Sequence, residues 1–276
     1  MDHHKFRVIK DRLIQFLVYL ALFSALIPLF SILYEVGARG FSTINIEFFI
    51  KPTPTVGESG GGVANAIQGT LITIGLASLI GVPIGLMSGI FLSEYGESKL
   101  SVAIRFLHDV LNGVPSIVIG VFAYALITRS IGFSVTAAAF ALAVIMIPIV
   151  TRTTEEALKL VPMSVREAAI ALGIPRWKTT IIVVLSSAKK AIVTGILLSI
   201  ARIAGESAPV LVSMGFWRWW FAGLNRPVAN LALNVFIFAT SPFENWVALA
   251  WGSALILILL VLGISIAARV LIKGRY

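Results

Sequence analysis

Two charged residues lie one helical turn apart in an apolar stretch near the end of the chain. Arg202 and Glu206 fall inside the run Ala191–Met214, near its middle, and positions i and i+4 share a helix face, so the two can pair. A charge at the centre of a membrane costs about 2.5–3.5 kcal/mol, which pairing seldom recovers in full. Pro209 cannot donate to the carbonyl of Gly205. This pattern predicts a kinked helix that lines a polar cavity; the alternative is a buried pair that holds a helix bundle in register.

The elements that position this pair are predicted to be membrane-spanning helices. Of the 276 residues, 58% are hydrophobic and only 13% charged, whereas soluble domains carry about a quarter charged residues. A helix needs roughly 20 apolar residues to cross a bilayer. The apolar runs are Leu13–Tyr34, Ile67–Leu92, Phe106–Ile127, Val135–Val150, Ala191–Met214 and Trp246–Ile272. The first exceeds the apolar region of a secretory signal, about 7–15 residues, so we expect it to be retained. The chain is therefore predicted to be an all-α, polytopic membrane protein with six transmembrane helices.

The basic residues are distributed unequally among the predicted loops. Of the 22 Lys and Arg residues, 16 lie in the N-terminal tail, in 93–105, in 152–190 and in the C-terminal tail. Positive charge accumulates on the cytoplasmic side of membrane proteins, so both termini are predicted to be cytoplasmic. The net charge of +9 then reflects topology rather than a nucleic-acid partner. With no cysteine and no cluster of His, Asp and Glu residues, we expect no disulfide, no metal site and no cofactor.

Loop and packing signals divide the chain. Pro52, Pro54 and Gly60–Gly62 mark an external loop, so we predict that residues 1–66 hold the N-terminal tail, the first helix and this loop. Residues 67–276 then form a core of five transmembrane helices. Glycines at spacing four in the second run predict close approach of another helix: Gly81, Gly85 and Gly89. The segment 228–239 is too short to span and predicts a half-buried helix on the outer face, either an interface anchor or an outer gate.

The loop 152–190 is patterned like a short helix rather than a linker. Pro162 ends the preceding helix, and Ser164-Val165-Arg166-Glu167 matches a capping box. Gly173 suits the left-handed position after the last turn, with Pro175 just beyond. A helix of about eight residues is marginal in water unless it packs on something. It is predicted either to lie on the membrane surface or to dock into a groove of a cytoplasmic partner.

The same loop carries a family resemblance. Glu167-Ala168-Ala169-x-x-x-Gly173 resembles the EAA motif of ABC importer permeases, including its place before the penultimate helix. In that family the short helix couples the permease to a nucleotide-binding subunit. The resemblance therefore implies that Glu167, Ala168, Ala169 and Gly173 contribute to coupling with an ATPase.

A second resemblance is to the A-type permeases of phosphate ABC importers. Its main motif is Arg202-x-x-Gly205-Glu206-Ser207-Ala208-Pro209, and Gly113-Val114-Pro115-Ser116-Ile117-Val118 adds a further match. Because the family's arginine and glutamate are implicated in phosphate translocation, the resemblance implies that role for Arg202 and Glu206. The chemistry agrees, since a guanidinium binds phosphate oxygens bidentately and stays charged at every relevant pH.

Family membership would imply a fold, partners and a location. The fold is that of type I ABC importer permeases (MetI-like), in the cell (plasma or inner) membrane. The partners are a homologous permease (PstC type), two copies of an ATP-binding subunit (PstB type), an external phosphate-binding protein (PstS type) and phosphate itself. The chain has no Gly-x-x-x-x-Gly-Lys-Ser/Thr loop, so we expect a permease and not an enzyme. The alternatives are an ABC permease for another oxyanion or small solute, and an ATP-independent carrier or channel, which would leave loop 152–190 without a purpose.

Overall fold

The computed structural model describes residues 3–58 and 60–273, and all regular structure within those ranges is helical. Eleven helices are distinguished here; α5 and α8 each include a π-helical stretch, at Tyr124–Thr128 and Thr179–Val184. In chain order they are α1 (His3–Thr43), α2 (Ile46–Ile50), α3 (Ala64–Glu94), α4 (Lys99–Gly113), α5 (Ser116–Ile131), α6 (Val135–Lys159), α7 (Met163–Ala171), α8 (Arg176–Ala204), α9 (Ala208–Met214), α10 (Leu231–Ala239) and α11 (Glu244–Lys273).

The membrane-spanning elements follow the predicted runs with one break. Among the described residues, α1, α3, α6, α8 and α11 are long and apolar enough to cross a membrane, and α4 with α5 makes a sixth span only as a pair bent by 104°. The prediction that Phe106–Ile127 forms one helix is therefore wrong. Pro115 has no amide hydrogen to donate, and it holds Val114 in an extended conformation (φ −74°, ψ 129°), so the helix stops there and restarts at Ser116.

The helix that carries Arg202 also differs from its prediction. The expected span Ala191–Met214 is split: α8 runs from Arg176 to Ala204, and the short helix α9 starts at Ala208. Arg202 thus lies in the last turn of a helix rather than in its middle. Pro209 lies in the first turn of α9, where its missing amide hydrogen costs nothing but prevents α8 from continuing. The predicted kink is a complete break.

The centre of the bundle is the contact between α3 and α6. A Cβ atom placed on Gly85 would lie 2.7 Å from the Cβ of Val150, and one on Gly89 would lie 2.6 Å from the Cβ of Thr154. Only glycine allows this approach, which confirms that the stripe beginning at Gly81 serves helix packing. α6 is the most buried span and α1 the least, so α6 forms the core around which the other spans pack.

The segments between α1 and α3 and between α9 and α11 are packed onto this bundle. Phe48 of α2 is buried and occupies the space beside Gly252 on α11. Asn65 accepts a hydrogen bond from the Thr53 amide at 3.2 Å and donates to the carbonyl of Arg218 at 2.5 Å, which joins these two loops. The predicted short helix in 228–239 is confirmed as α10, whose Leu231, Asn234 and Phe238 are buried.

Candidate functional site

Arg202 and Glu206 form the ion pair that their spacing predicts. Arg202 Nη2 lies 3.2 Å from Glu206 Oε1, although α8 ends between the two residues. Glu206 is held in the break by its backbone amide, which donates to the carbonyl of Ile203 at 3.2 Å. The Arg202 side chain is 61% exposed and that of Glu206 only 13%. A guanidinium has five N–H donors, so this pair leaves Arg202 with donors for a further ligand.

The exposed face of Arg202 borders a cavity of about 290 Å³ at the break between α4 and α5. Asn112 and Ser116 supply its other polar side chains, and Ile145 and Ile149 of α6 form part of its apolar wall. Two segments that the sequence marked separately, the Gly113–Val118 stretch and the Arg202 motif, therefore meet at one place. Each contributes a helix break.

The start of α5 adds a positive potential to this cavity. Its first residue, Ser116, lines the cavity, and no side chain caps the first turn after Pro115. The first amides of a helix have no intrahelical partner, and the aligned peptide dipoles place a partial positive charge there. An anion beside Arg202 would therefore be attracted by both groups, which is the arrangement that anion sites at helix starts use.

A buried charged cluster that sequence reasoning missed joins α4 to α6. Glu155 Oε1 accepts from Arg105 Nη2 at 2.8 Å and from Lys159 Nζ at 2.5 Å, and its side chain is 2% exposed. Arg105 also donates to the carbonyls of Gly96 and Leu92. A buried carboxylate is tolerated only while its cationic partners remain, so this cluster holds helix ends together. The i, i+4 spacing to Lys159 was a usable signal; the contact with Arg105 had none.

The loop helix α7 is present, but it begins differently from the prediction. It starts at Met163 directly after Pro162, no side chain caps its first turn, and Ser164 lies inside that turn. The predicted capping box is therefore not formed, because Pro162 both ends the preceding segment and leads straight into the helix. The end is as predicted: Gly173 has φ +80°, and its amide donates to the Ile170 carbonyl at 2.9 Å. The amide of Ile174 donates to Ala169, which completes a Schellman motif.

α7 exposes most of the residues that the EAA resemblance marks. Glu167 and Ala168 are exposed, and Ala169 is buried beneath them. Large apolar side chains around them are also exposed, namely Met163 at 66%, Leu172 at 82% and Trp177 at 62%. Met163 starts this nine-residue helix, whereas Leu172 follows its last turn and Trp177 lies in α8, so apolar surface is exposed at both ends of α7.

Within residues 3–58 and 60–273, no group of three His, Asp or Glu side chains is placed to bind a metal ion.

Comparisons with known proteins point to one family. The family model "Binding-protein-dependent transport system inner membrane component" matches residues 81–274. The phosphate transport system permease protein PstA of Pasteurella multocida is 43% identical over 97% of this chain and 96% of its own length. The protein of the same name from Yersinia pestis is 44% identical, covering 96% and 91%. The PstA 1 permease of Mycobacterium tuberculosis is 42% identical, covering 90% and 83%.

The solved structures show the same fold. A chain of the MetNI methionine ABC transporter, in an inward-facing conformation, superposes with a TM-score of 0.61 over 76% of this chain and 95% of that chain. The sequence identity is 18%, so the likeness concerns the fold alone. It confirms the predicted MetI-like permease fold.

Proposed function

This chain belongs to the binding-protein-dependent transport system inner membrane component family, among its PstA-type phosphate permeases, and on that premise we propose that it forms half of the translocation pathway of an ATP-driven inorganic phosphate importer. The observation that carries the proposal is Arg202, an arginine with free donors in a cavity between two broken helices. A guanidinium next to an uncapped helix start selects an anion with several oxygens.

Phosphate would pass the cavity by competing with Glu206 for Arg202. With phosphate absent, the carboxylate pairs with the guanidinium at 3.2 Å and holds it in place. Phosphate binds the remaining donors, and the apolar walls formed by Ile145 and Ile149 strengthen that attraction because they exclude water. When the bundle reorients, repulsion between Glu206 and the phosphate favours release. Since most of the Arg202 side chain is uncovered in this chain, a second permease subunit is needed to close the pathway around it.

ATP hydrolysis would be coupled to transport through α7. Glu167, Ala168, Ala169 and Gly173 couple this helix to an ATP-binding subunit, which hydrolyses the ATP that this permease subunit does not. The exposed apolar residues of α7 favour docking on a partner over a bare cytoplasmic helix, because that surface is otherwise in water. Closure of two ATP-binding subunits moves α7, and the bundle changes the side to which the cavity opens.

The complete importer would contain three further kinds of subunit. We assign a homologous permease of the PstC type, two ATP-binding subunits of the PstB type and an external phosphate-binding protein of the PstS type. The unequal distribution of Lys and Arg supports a multi-pass protein of the cell membrane with both termini in the cytoplasm. The family match over residues 81–274 supports residues 67–276 as the permease core, with residues 1–66 as an addition.

Radiolabelled phosphate uptake tests the function directly. Cells lacking this chain should lose high-affinity phosphate uptake and regain it when the chain is restored, with excess sulfate as a competitor that has no effect. A variant Arg152→Gln serves as a control arginine, because its pair with Glu156 is exposed on both sides. Restored transport of another oxyanion or solute without phosphate uptake would instead support the alternative permease.

A further inference from the structure

We infer that Arg166 and Glu94 form a strut that carries the motion of α7 into the paired helices α3 and α6. The inference rests on the proposed function only in requiring that α7 docks on an ATP-binding subunit. Both residues are positioning residues, since neither touches the cavity beside Arg202. The EAA resemblance marks other residues of α7 and says nothing of this pair.

One side chain of α7 links the ends of two other helices. The Arg166 guanidinium, in the middle of α7, pairs through Nη1 with the Oε1 of Glu94, the last residue of α3. Its Nη2 donates to the carbonyl of Leu158, in the last turn of α6, at 3.2 Å. The side chains of Arg166 and Glu94 are only 15% and 23% exposed. Sheltered pairs are screened less than exposed ones, so this contact is stronger than the surface pairs of the same chain.

The strut crosses a space that is otherwise open. A cavity of about 510 Å³ lies between α7 and the end of α3, bordered by Ser93 on one side and by Met163 and Ile170 on the other. The apolar contacts of α7 are made elsewhere: Val165 packs on a cluster that includes Leu158 and Val184. Among the described residues, α7 therefore packs against a cluster formed mainly by α6 and α8, and Arg166 is the side chain that reaches the end of α3.

What the strut reaches is a rigid unit. Along the contact of α3 with α6, a Cβ atom on Gly85 or Gly89 would lie within 2.7 Å of its neighbours, so the two helices have no free space in which to slide. A displacement of Glu94 must move both helices together. Because Ile145 and Ile149 of α6 border the Arg202 cavity, that movement reaches the cavity wall.

Thiol labelling can follow this coupling without relying on phosphate. The chain has no cysteine, so Asn112→Cys places a single thiol at the Arg202 cavity, within a complex whose other subunits lack accessible cysteines. The labelling rate with and without ATP reports the movement of the cavity. We expect Glu94→Gln and Arg166→Gln to reduce the ATP-induced change by roughly tenfold, within the range known for coupling residues, while ATP hydrolysis continues.

Charge exchange separates a strut from a general structural role. The double variant Glu94→Arg with Arg166→Glu should recover most of the ATP-induced change, because the two charges still attract across the same space. The exposed pair Arg152–Glu156 provides the control, and Glu156→Gln should leave the change intact. Unchanged coupling in the single variants, a double variant no better than either single one, or single variants that fail to accumulate would each overturn the inference. Phosphate uptake by the unaltered complex in the same vesicles tests the proposed function separately.

Discussion

α6 presents two neighbouring faces that differ in packing, in the continuity of the helices beside them and in charge. Below they are called the packed face and the open face. On one, Val150 and Thr154 lie against the glycines of α3 at a distance that no added carbon would fit. On the other, Ile145 and Ile149 form the wall of an open cavity beside Arg202. The first face lies between two continuous helices, and its contact residues are uncharged. The second is bounded by two broken helices, a guanidinium and an uncapped helix start.

The difference shows how one bundle can be both stable and able to move an ion. Tight packing between small residues supplies stability in a membrane, where burial of apolar surface from water does not drive helices together. Breaks at Pro115 and at Gly205–Ser207 release backbone groups, which is tolerated only where they line a cavity or are covered by protein. The packed face then holds α6 in position against α3, while the other face of α6 borders a cavity that has to open and close during transport.

The largest effect is expected from filling the packed face. Gly85→Leu places carbon atoms where Val150 already lies, and overpacking of this kind costs about 1–3 kcal/mol or more. We expect the variant to be lost from the membrane or to unfold at a clearly lower temperature in detergent. Gly75→Leu is the matched control on the same helix, because no atom lies within 4 Å of its added Cβ. Equal accumulation of the two variants would mean that the contact between α3 and α6 is looser than described.

The second effect should separate transport from folding. Arg202→Gln removes the charge from the open face without touching the packed one, so the chain should accumulate normally while phosphate uptake is abolished. Arg202→Lys keeps the charge but loses the planar fork, and uptake should fall sharply. Rates are normalised to the amount of chain in the membrane, with Arg152→Gln as the control. Near-normal uptake by Arg202→Gln would reduce the Arg202–Glu206 pair to a structural brace.

The two faces were not equally visible in the sequence. The packed face was predicted because glycines at spacing four on an apolar run leave one interpretation. The spans were found because a helix in lipid must satisfy its own backbone, which makes apolar length a sufficient signal. At the open face the sequence predicted the functional residues but not the helix breaks that surround them. Pro115 and Pro209 were both visible, yet hydropathy alone joined the segments on either side of each proline into one helix.

Contacts between distant segments had no local signal. Arg105 meets Glu155 and Arg166 meets Glu94 across 50 and 72 positions, and neither periodicity nor spacing reports such a pairing. The capping box at Ser164 failed for a different reason. Its four residues fit the motif, but the helix starts at Met163 after Pro162, two residues before the start at Val165 that the motif requires. Local patterns therefore predicted elements well and their junctions poorly.

A third prediction compares two glycines that are needed for different reasons. Gly85 is needed for space, whereas Gly173 has nothing within 4 Å of an added Cβ but has φ +80°. A β-branched residue in that conformation costs about 1–2 kcal/mol. Gly173→Val should therefore leave the bundle folded but distort the end of α7, so that ATP hydrolysis by the complex is uncoupled from phosphate uptake. Gly173→Asn should retain coupling, since Asn tolerates this conformation.

Comparing the accumulation of Gly173→Val with that of Gly85→Leu shows whether Gly173 serves coupling or folding. If Gly173→Val keeps both substrate-stimulated ATP hydrolysis and uptake, then the end of α7 is not needed for coupling. If it fails to accumulate, as Gly85→Leu should, then α7 contributes to folding and the distinction between the two glycines is lost. ATP hydrolysis and uptake measured on the same vesicles decide between these results.

The smallest effect on phosphate uptake is expected from a change at Glu58. This carboxylate belongs to neither face of α6. It is fully exposed in the loop between α2 and α3, and its Oε2 accepts from the Thr55 amide at 2.7 Å. Hydrogen bonds from Thr55, first through its side chain and then through its backbone, lower the pKa of Glu58 below its ordinary value. A lowered pKa contributes stability that is complete above the unfolded value of about 4.3 and is lost as the pH falls through the folded one. Between about pH 6 and 8 Glu58 stays ionised in both states, so its titration should add no pH dependence to uptake.

Glu58→Gln removes the same hydrogen-bonded charge at every pH, so the variant isolates what the loop contributes. Because exposed charges are screened by water and salt, we expect uptake to stay within about twofold of the unaltered chain. Hydrogen exchange across residues 51–63 should become slightly faster at neutral pH, since the acceptor for the Thr55 amide is weakened. A loss of uptake as deep as that of Arg202→Gln, without loss of accumulation, would contradict the division between packed and open faces. The pathway would then include the external cavity that Glu58 borders with Lys51 and Arg218, and the first selection of the anion would lie outside the membrane.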